Sequence, residues 1–293
     1  MYHQITANKR QSVLLVMVFI AIILAFGYVF DMATGRGDYS GVFFAIILSF
    51  VMTLTSYFAG DKIALFSTGA QPIGKEDNPY IYRIIENLSI TSGLPVPAVY
   101  IINDPAINAF ATGRKPETAS VAVTTGAIEK LTNEELEGVL AHELSHVQNY
   151  DIRFMTLVAV LVGSISILAH IFLRSRWLPR RNDRDSGNLG AIFMIIGIVL
   201  ALLSPIIAEL IKLAISRRRE YLADASGSLL TRYPEGLASA LEKIAIQNQP
   251  MKNASTATAH LFFANPFSGK SLSNLFSTHP PIEERIKKLR EMA

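Results

Sequence analysis

Four long stretches without a charged residue dominate the pattern of this chain: residues 12–30, 39–60, 154–172 and 186–208. Each is close to the roughly 20 residues that a helix needs to cross a bilayer. The first follows Lys9 and Arg10. It exceeds the roughly 7–15 apolar residues of a secretion signal and has no clear small-residue cleavage site after it, so it reads as a retained anchor. The third contains Ser164, Ser166 and His170, and the fourth contains Pro205. These two are read either as a pair of crossings or as a helical hairpin that dips into the membrane. Basic residues gather on the cytoplasmic side of membrane helices. Lys9 and Arg10 therefore put the N-terminus in the cytoplasm, with the connection at 31–38 outside and residues 61–153 back on the cytoplasmic side. Arg174, Arg176, Arg180, Arg181 and Arg184 would face outward if the third and fourth runs both cross, against that tendency.

Between and after these runs the pattern changes. Ile81, Ile84, Ile85 and Leu88 recur at helical spacing before Gly93, which predicts a helix over 78–93. Short β-rich runs at 97–102, 108–112 and 120–125, separated by turn residues, predict a small antiparallel sheet. Thr132 and Glu135 form a capping box that opens a helix to about Asn149. A further helix leaves the fourth apolar run and is expected to end near Gly227, with a kink at Pro205. Pro234 suits the first position of a helix through Ile246. Residues 248–278 have no period and read as a long loop, and 281–292 as a short charged helix. No internal repeat is visible. The expected fold is a mainly α integral membrane protein with a small antiparallel β-sheet. Its parts are an anchor at 1–60, the first part of a cytoplasmic domain at 61–153, a hydrophobic hairpin at 154–208 and the second part of that domain at 209–293.

Composition agrees. The 293 residues are 50% hydrophobic and only 17% charged, which excludes a disordered chain and argues against a purely water-soluble enzyme. A net charge of +3 is too weak to imply nucleic acid. Cysteine is absent, so any metal ligands are His, Asp or Glu, and there are only 6 His.

Two of them stand in His142-Glu143-Leu144-Ser145-His146 on the capped helix. Residues at i and i+4 share one helix face, so both imidazoles can reach one Zn²⁺, with Glu143 facing the open coordination position as a base. A third ligand is needed. His260, His279 and the i, i+4 pair Glu220 and Asp224 are the candidates. Glu220 would complete a His₂Glu set, and Asp224 could then orient a ligating His through its other ring nitrogen. The alternative for this pair is surface charge pairing with 217–219. Glu220 and His142 can share a metal only if the chain between them crosses the membrane an even number of times.

These residues resemble the HtpX-type membrane zinc metalloproteases, gluzincins related to the CAAX prenyl proteases. The resemblance runs through two N-terminal apolar spans, 108–113 (Asn-Ala-Phe-Ala-Thr-Gly), His142-Glu-x-x-His146, Glu220-x-x-x-Asp224 and 278–281 (Thr-His-Pro-Pro). It implies a multi-pass protein of the bacterial inner membrane with a cytoplasmic active site and one Zn²⁺ per subunit. It also implies endopeptidase action on misfolded or damaged membrane proteins under stress, alongside quality-control partners. Zinc on His142, His146 and Glu220 would acidify a bound water, and Glu143 would carry its proton to the leaving amine. Asn108, Ala109 and Phe110 are read as a strand edge that could pair with an extended substrate, and His279 as a group that could stabilise the oxyanion. His170 is read as interfacial or functional. The competing classes are an inactive zinc-binding scaffold in the membrane and a transporter. A transporter would need more broken or charged midplane helices than Pro205 and His170 supply.

Overall fold

The computed structural model describes residues 2–34, 39–175, 217–247, 249–255, 257–267 and 280–292. The fourth apolar run, Pro205, the arginines from 176 to 184, His279 and the side chain of His170 lie outside the described residues.

The first two apolar runs are the helices α1 (Tyr2–Thr34) and α2 (Ser40–Ser67). Both are long and apolar enough to span a membrane. They cross closely because Gly27 has no side chain: a Cβ there would meet the Gly41 carbonyl oxygen at 2.6 Å and the Ala45 Cβ at 2.7 Å. Close backbone approach through small residues is how helices associate in lipid. Asp31 accepts from the backbone N–H groups of Gly41 at 2.7 Å and Val42 at 2.9 Å, and so satisfies the start of α2. The outer faces leave Val13, Leu14, Met17, Phe43, Phe44 and Phe50 exposed. An apolar surface of that extent belongs against lipid.

The third apolar run belongs to α6 (Asp151–Ser175). Its Phe154, Leu157, Val158, Leu161 and Ile165 pack with Leu15, Phe19 and Ile23 of α1 and Ala45 of α2. The membrane helices and the start of α6 are therefore one packed unit.

The small sheet contains β1 (Gln71–Pro72), β2 (Ala98–Ile102), β3 (Ala109–Thr112) and β4 (Ser120–Thr124), in the order β1-β2-β4-β3. It is mixed, which corrects the antiparallel expectation. The chain does reverse at each connection, but β4 inserts between β2 and β3. It therefore runs parallel to β2 and antiparallel to β3. Gly113, at φ 142°, turns the chain between β3 and β4 in a conformation that favours glycine. β4 is buried at all five positions, between β2 and β3.

The helices around the sheet follow the periodic segments. α3 (Pro79–Ser92) is capped by the Asn78 side chain and closed by Gly93 at φ 69°. α4 (Thr125–Lys130) leads into α5 (Asn133–Gln148), whose capping box forms with both hydrogen bonds present. α5 is buried from Leu136 to Val147 apart from a half-buried Glu137, enclosed by α3, β3 and two later helices. These are α7 (Arg217–Thr231) and α8 (Pro234–Gln247), and α9 (Ile282–Arg290) closes the fold.

Two expectations change here. α7 does not stop near Gly227 but runs on to Thr231, with Arg232 leaving at φ 55°. Gly227 is a contact point, since a Cβ there would meet the His142 backbone nitrogen at 2.9 Å. The described part of the stretch read as a long loop is also packed rather than loose. It carries a 3₁₀ turn at Ala259–Leu261 and buries Phe262 and Phe263. Lys252 N–H donates to Asp104, and Met251 N–H to the Pro266 carbonyl. Contacts of this kind have no sequence period.

Candidate metal centre

α5 carries His142 and His146 one turn apart, and α7 lies against that face with Glu220. The separations are 3.2 Å between the two His Nε2 atoms, 3.6 Å from His146 Nε2 to Glu220 Oε1 and 3.8 Å from His142 Nε2 to Glu220 Oε2. Ligands about 2.0–2.1 Å from a tetrahedral metal stand about 3.3 Å from one another. The two Nε2 atoms and the Glu220 carboxylate therefore fit around one ion. Among the described residues this is the one His/Asp/Glu group of that kind. His260 lies elsewhere, with its Nε2 2.9 Å from the Met155 carbonyl.

Each imidazole meets a carboxylate on its far side. His142 Nδ1 is 2.9 Å from Asp224 Oδ1, one helical turn beyond Glu220 on α7. His146 Nδ1 is 2.9 Å from Asp151 Oδ2 at the start of α6. Each carboxylate in turn meets an arginine. Arg285 of α9, fully buried, donates from Nε and Nη2 to Asp224 at 2.9 and 2.7 Å. Arg219 Nε lies 3.0 Å from Asp151. Arg219 Nη2 also donates to Asn8 at 2.8 Å and to Gln11 at 3.1 Å, both on α1. Asn8 itself donates to Asp151 and to the Asn149 carbonyl. Surface charge pairing for Glu220 and Asp224 is thus replaced by burial in the site, and Arg219 serves the other histidine.

Burial and these partners set the charges. Desolvation pushes His142 down to about 4 against the pull of Asp224. For His146 desolvation is outweighed by the Asp151 hydrogen bond and by Glu220, which raise it to about 9. Desolvation lifts Glu143 to about 8, opposed by His146 and by an N–H from Ala111. Asp224 would rise by desolvation, but Arg285 and His142 hold it at about 2. Two imidazole nitrogens and a carboxylate gathered in a buried site are the donor chemistry of a metal site.

Of the other expected positions, Asn108 and Ala109 lie at the outer edge of the sheet, beside Phe263 and Ala264. The Phe110 ring is fully buried against Phe262 at 5.2 Å and belongs to the core. Sequence reasoning missed Asp151, Arg219 and Arg285. Asp151, five residues beyond His146, was open to the same orienting argument as Asp224.

Residues 75–293 match the family described as peptidase family M48. The chain belongs to that family. It is 46% identical over 296 residues to a protease HtpX homolog of Caldanaerobacter subterraneus subsp. tengcongensis, covering 100% of this chain and 98% of the relative. A protease HtpX homolog of Dictyoglomus thermophilum is 45% identical over 292 residues, covering 99% and 94%. Among solved structures, the crystal structure of S. mikatae Ste24p shares the fold, with a TM-score of 0.54 at 19% identity over 99% of this chain and 67% of that one. Family membership, the buried ligand cluster and the two apolar helices make this M48 peptidase a membrane metalloprotease.

Gly227 offers a direct test of how the two ligand-bearing helices are spaced. Gly227→Ala forces the new methyl against the backbone of His142. The expected cost is about 1–3 kcal/mol of overpacking, together with weaker metal binding as α7 moves away from α5. Metal titration of the two proteins checks this, and equal affinities would contradict the spacing role.

Proposed function

We propose that this chain is a zinc endopeptidase in which His142, His146 and Glu220 hold the metal and Glu143 is the general base. The observation that carries the reading is the convergence of three buried ligands, the two Nε2 atoms 3.2 Å apart and the Glu220 carboxylate oxygens 3.6 and 3.8 Å from them, with Glu143 on the same helix as the two histidines. Two imidazoles and one carboxylate are a donor set typical of catalytic zinc. When bound, zinc supplies Lewis acidity toward the scissile carbonyl and acidifies water. Glu143 takes a proton from the attacking water and returns it to the leaving amine. Asp224 and Asp151 hold the two imidazoles with their other ring nitrogens turned to the metal, and Arg285 and Arg219 hold the carboxylates. His279 remains our choice for stabilising the oxyanion.

The substrates we infer are unfolded or damaged membrane proteins, attacked as a stress response. The site lies at the same end of α1 as Asn8, just before Lys9 and Arg10, so the positive-inside tendency supports a cytoplasmic site on a multi-pass inner-membrane protein. The same reading keeps the divisions at residues 60, 153 and 208, with two interrupted parts of one protease domain around a hydrophobic hairpin.

Purification under chelation, followed by Zn²⁺ addition with an unfolded substrate, tests this. Cleavage should be absent before zinc, return at one equivalent and disappear again with chelator. Cleavage that ignores the chelator would refute the reading.

A further inference from the structure

The candidate metal centre is closed. His142, Glu143, His146 and Glu220 are each no more than 3% exposed, so a peptide reaches them only if something moves. The outer edge of β3 identifies what stands in the way. Along that edge the Ala111 N–H donates to Glu143, and the Ala109 carbonyl accepts from the Phe263 N–H at 2.8 Å. Asn108 then grips both backbone groups of Ala264. Its Oδ1 accepts from the N–H at 3.1 Å, and its Nδ2 donates to the carbonyl at 3.0 Å. The Phe263 carbonyl accepts from Arg285 Nη1 at 3.4 Å, and that nitrogen is 3.9 Å from Glu220. The Phe263 ring stands edge-on to His142, with centroids 5.0 Å apart, and the Arg285 guanidinium lies 4.9 Å from its centre.

Two consecutive residues thus have all four backbone polar groups bound by a strand edge, an asparagine and an arginine. The segment bends at 262–264 and adds no strand, but its Phe263 N–H donates to a strand-edge carbonyl and its other backbone groups bond to side chains beside the site, as those of a bound peptide would. These bonds are sequence-independent, so another peptide can replace them at little net cost in hydrogen bonds. What differs between peptides is the side chains. A large apolar group is favoured where Phe263 meets His142 and Arg285, and a small one where Ala264 lies against Asn108.

We propose that Phe263–Ala264 occupy the place of a substrate dipeptide, so that the protease rests self-occupied. On displacement of this segment it takes unfolded chains with a large apolar residue followed by a small one. The proposal rests on the zinc endopeptidase reading above.

The test uses the full-length, zinc-loaded Glu143→Gln protein in detergent, with hydrogen–deuterium exchange in the absence and presence of an unstructured peptide carrying a Phe-Ala pair. Bound peptide should cut the protection of the Phe263 and Ala264 amides by about tenfold or more while β3 stays protected. Unchanged protection at 263–264, with a peptide that the wild type cleaves, would overturn the proposal and leave the protease reading standing. If the wild type with zinc cleaves no peptide, the protease reading falls and this inference with it. Ala264→Pro, which removes the N–H held by Asn108, should raise kcat/KM on short peptides about tenfold at unchanged zinc content. A folded, zinc-replete variant with no gain would count against displacement. Equal cleavage of Phe-Ala, Ala-Phe and Gly-Gly peptides would overturn the stated substrate preference.

Discussion

Glu143→Gln should abolish proteolysis and leave the metal bound. The substitution keeps the size of a side chain that is 2% exposed, so the fold has no reason to change. It takes away the carboxylate that we propose accepts a proton and then gives it up. Positioned acid–base groups contribute about 10²–10⁴-fold, and the loss here should fall at the upper end because one residue serves both transfers. Zinc analysis of the purified variant beside a cleavage assay decides it. A variant that binds zinc and cleaves at the wild-type rate would remove Glu143 from the mechanism. A variant that loses zinc would mean that Glu143 holds the site together, a different role from the one proposed.

Arg285→Met should be the most damaging substitution for stability. Arg285 is 1% exposed and bonds both oxygens of Asp224, which is itself buried against His142. Met fills similar space, so packing changes little. What changes is that Asp224 is left as a buried carboxylate without its guanidinium. Removing one partner of a buried pair costs about 3–5 kcal/mol. Denaturant unfolding in detergent should record that loss, and zinc affinity should fall with it because Asp224 no longer holds His142 in one orientation. Adding Asp224→Asn to Arg285→Met should recover part of the stability, since the unpaired charge is gone, but not the zinc affinity. Strictly additive losses in the double variant would show that the two residues do not act as a pair.

How much of this could be read in the sequence depended on how local the cause was. His142 and His146 were legible because helix geometry alone brings i and i+4 together, and Thr132 with Glu135 announced that helix. Glu220 and Asp224 were legible for the same reason, although Glu220 lies 74 positions beyond His146. Arg285 was not. It sits in a segment rich in Glu, Lys and Arg that reads as a solvated helix, and only the docking of α9 on α7 turns one of its cations inward. The order of the strands was hidden as well. The turns predict each reversal but do not say on which side of β2 the returning strand will lie. Phe262 and Phe263 looked like stray aromatics in a polar loop because their partners come from β3 and α5, far away in sequence.

The bonds from Asn8 and Gln11 to Arg219, and from Asn8 to Asp151, have a practical meaning for anyone seeking a water-soluble form of the enzyme. A truncation that starts where the family match begins, at residue 75, would keep every proposed zinc ligand. It would also discard the first turns of α1, which brace the Asp151 side of His146. Replacing exposed apolar side chains such as Val13, Phe43 and Phe50 with polar ones keeps that brace. Solubility is better engineered on the outside of the first two helices than gained by cutting them off.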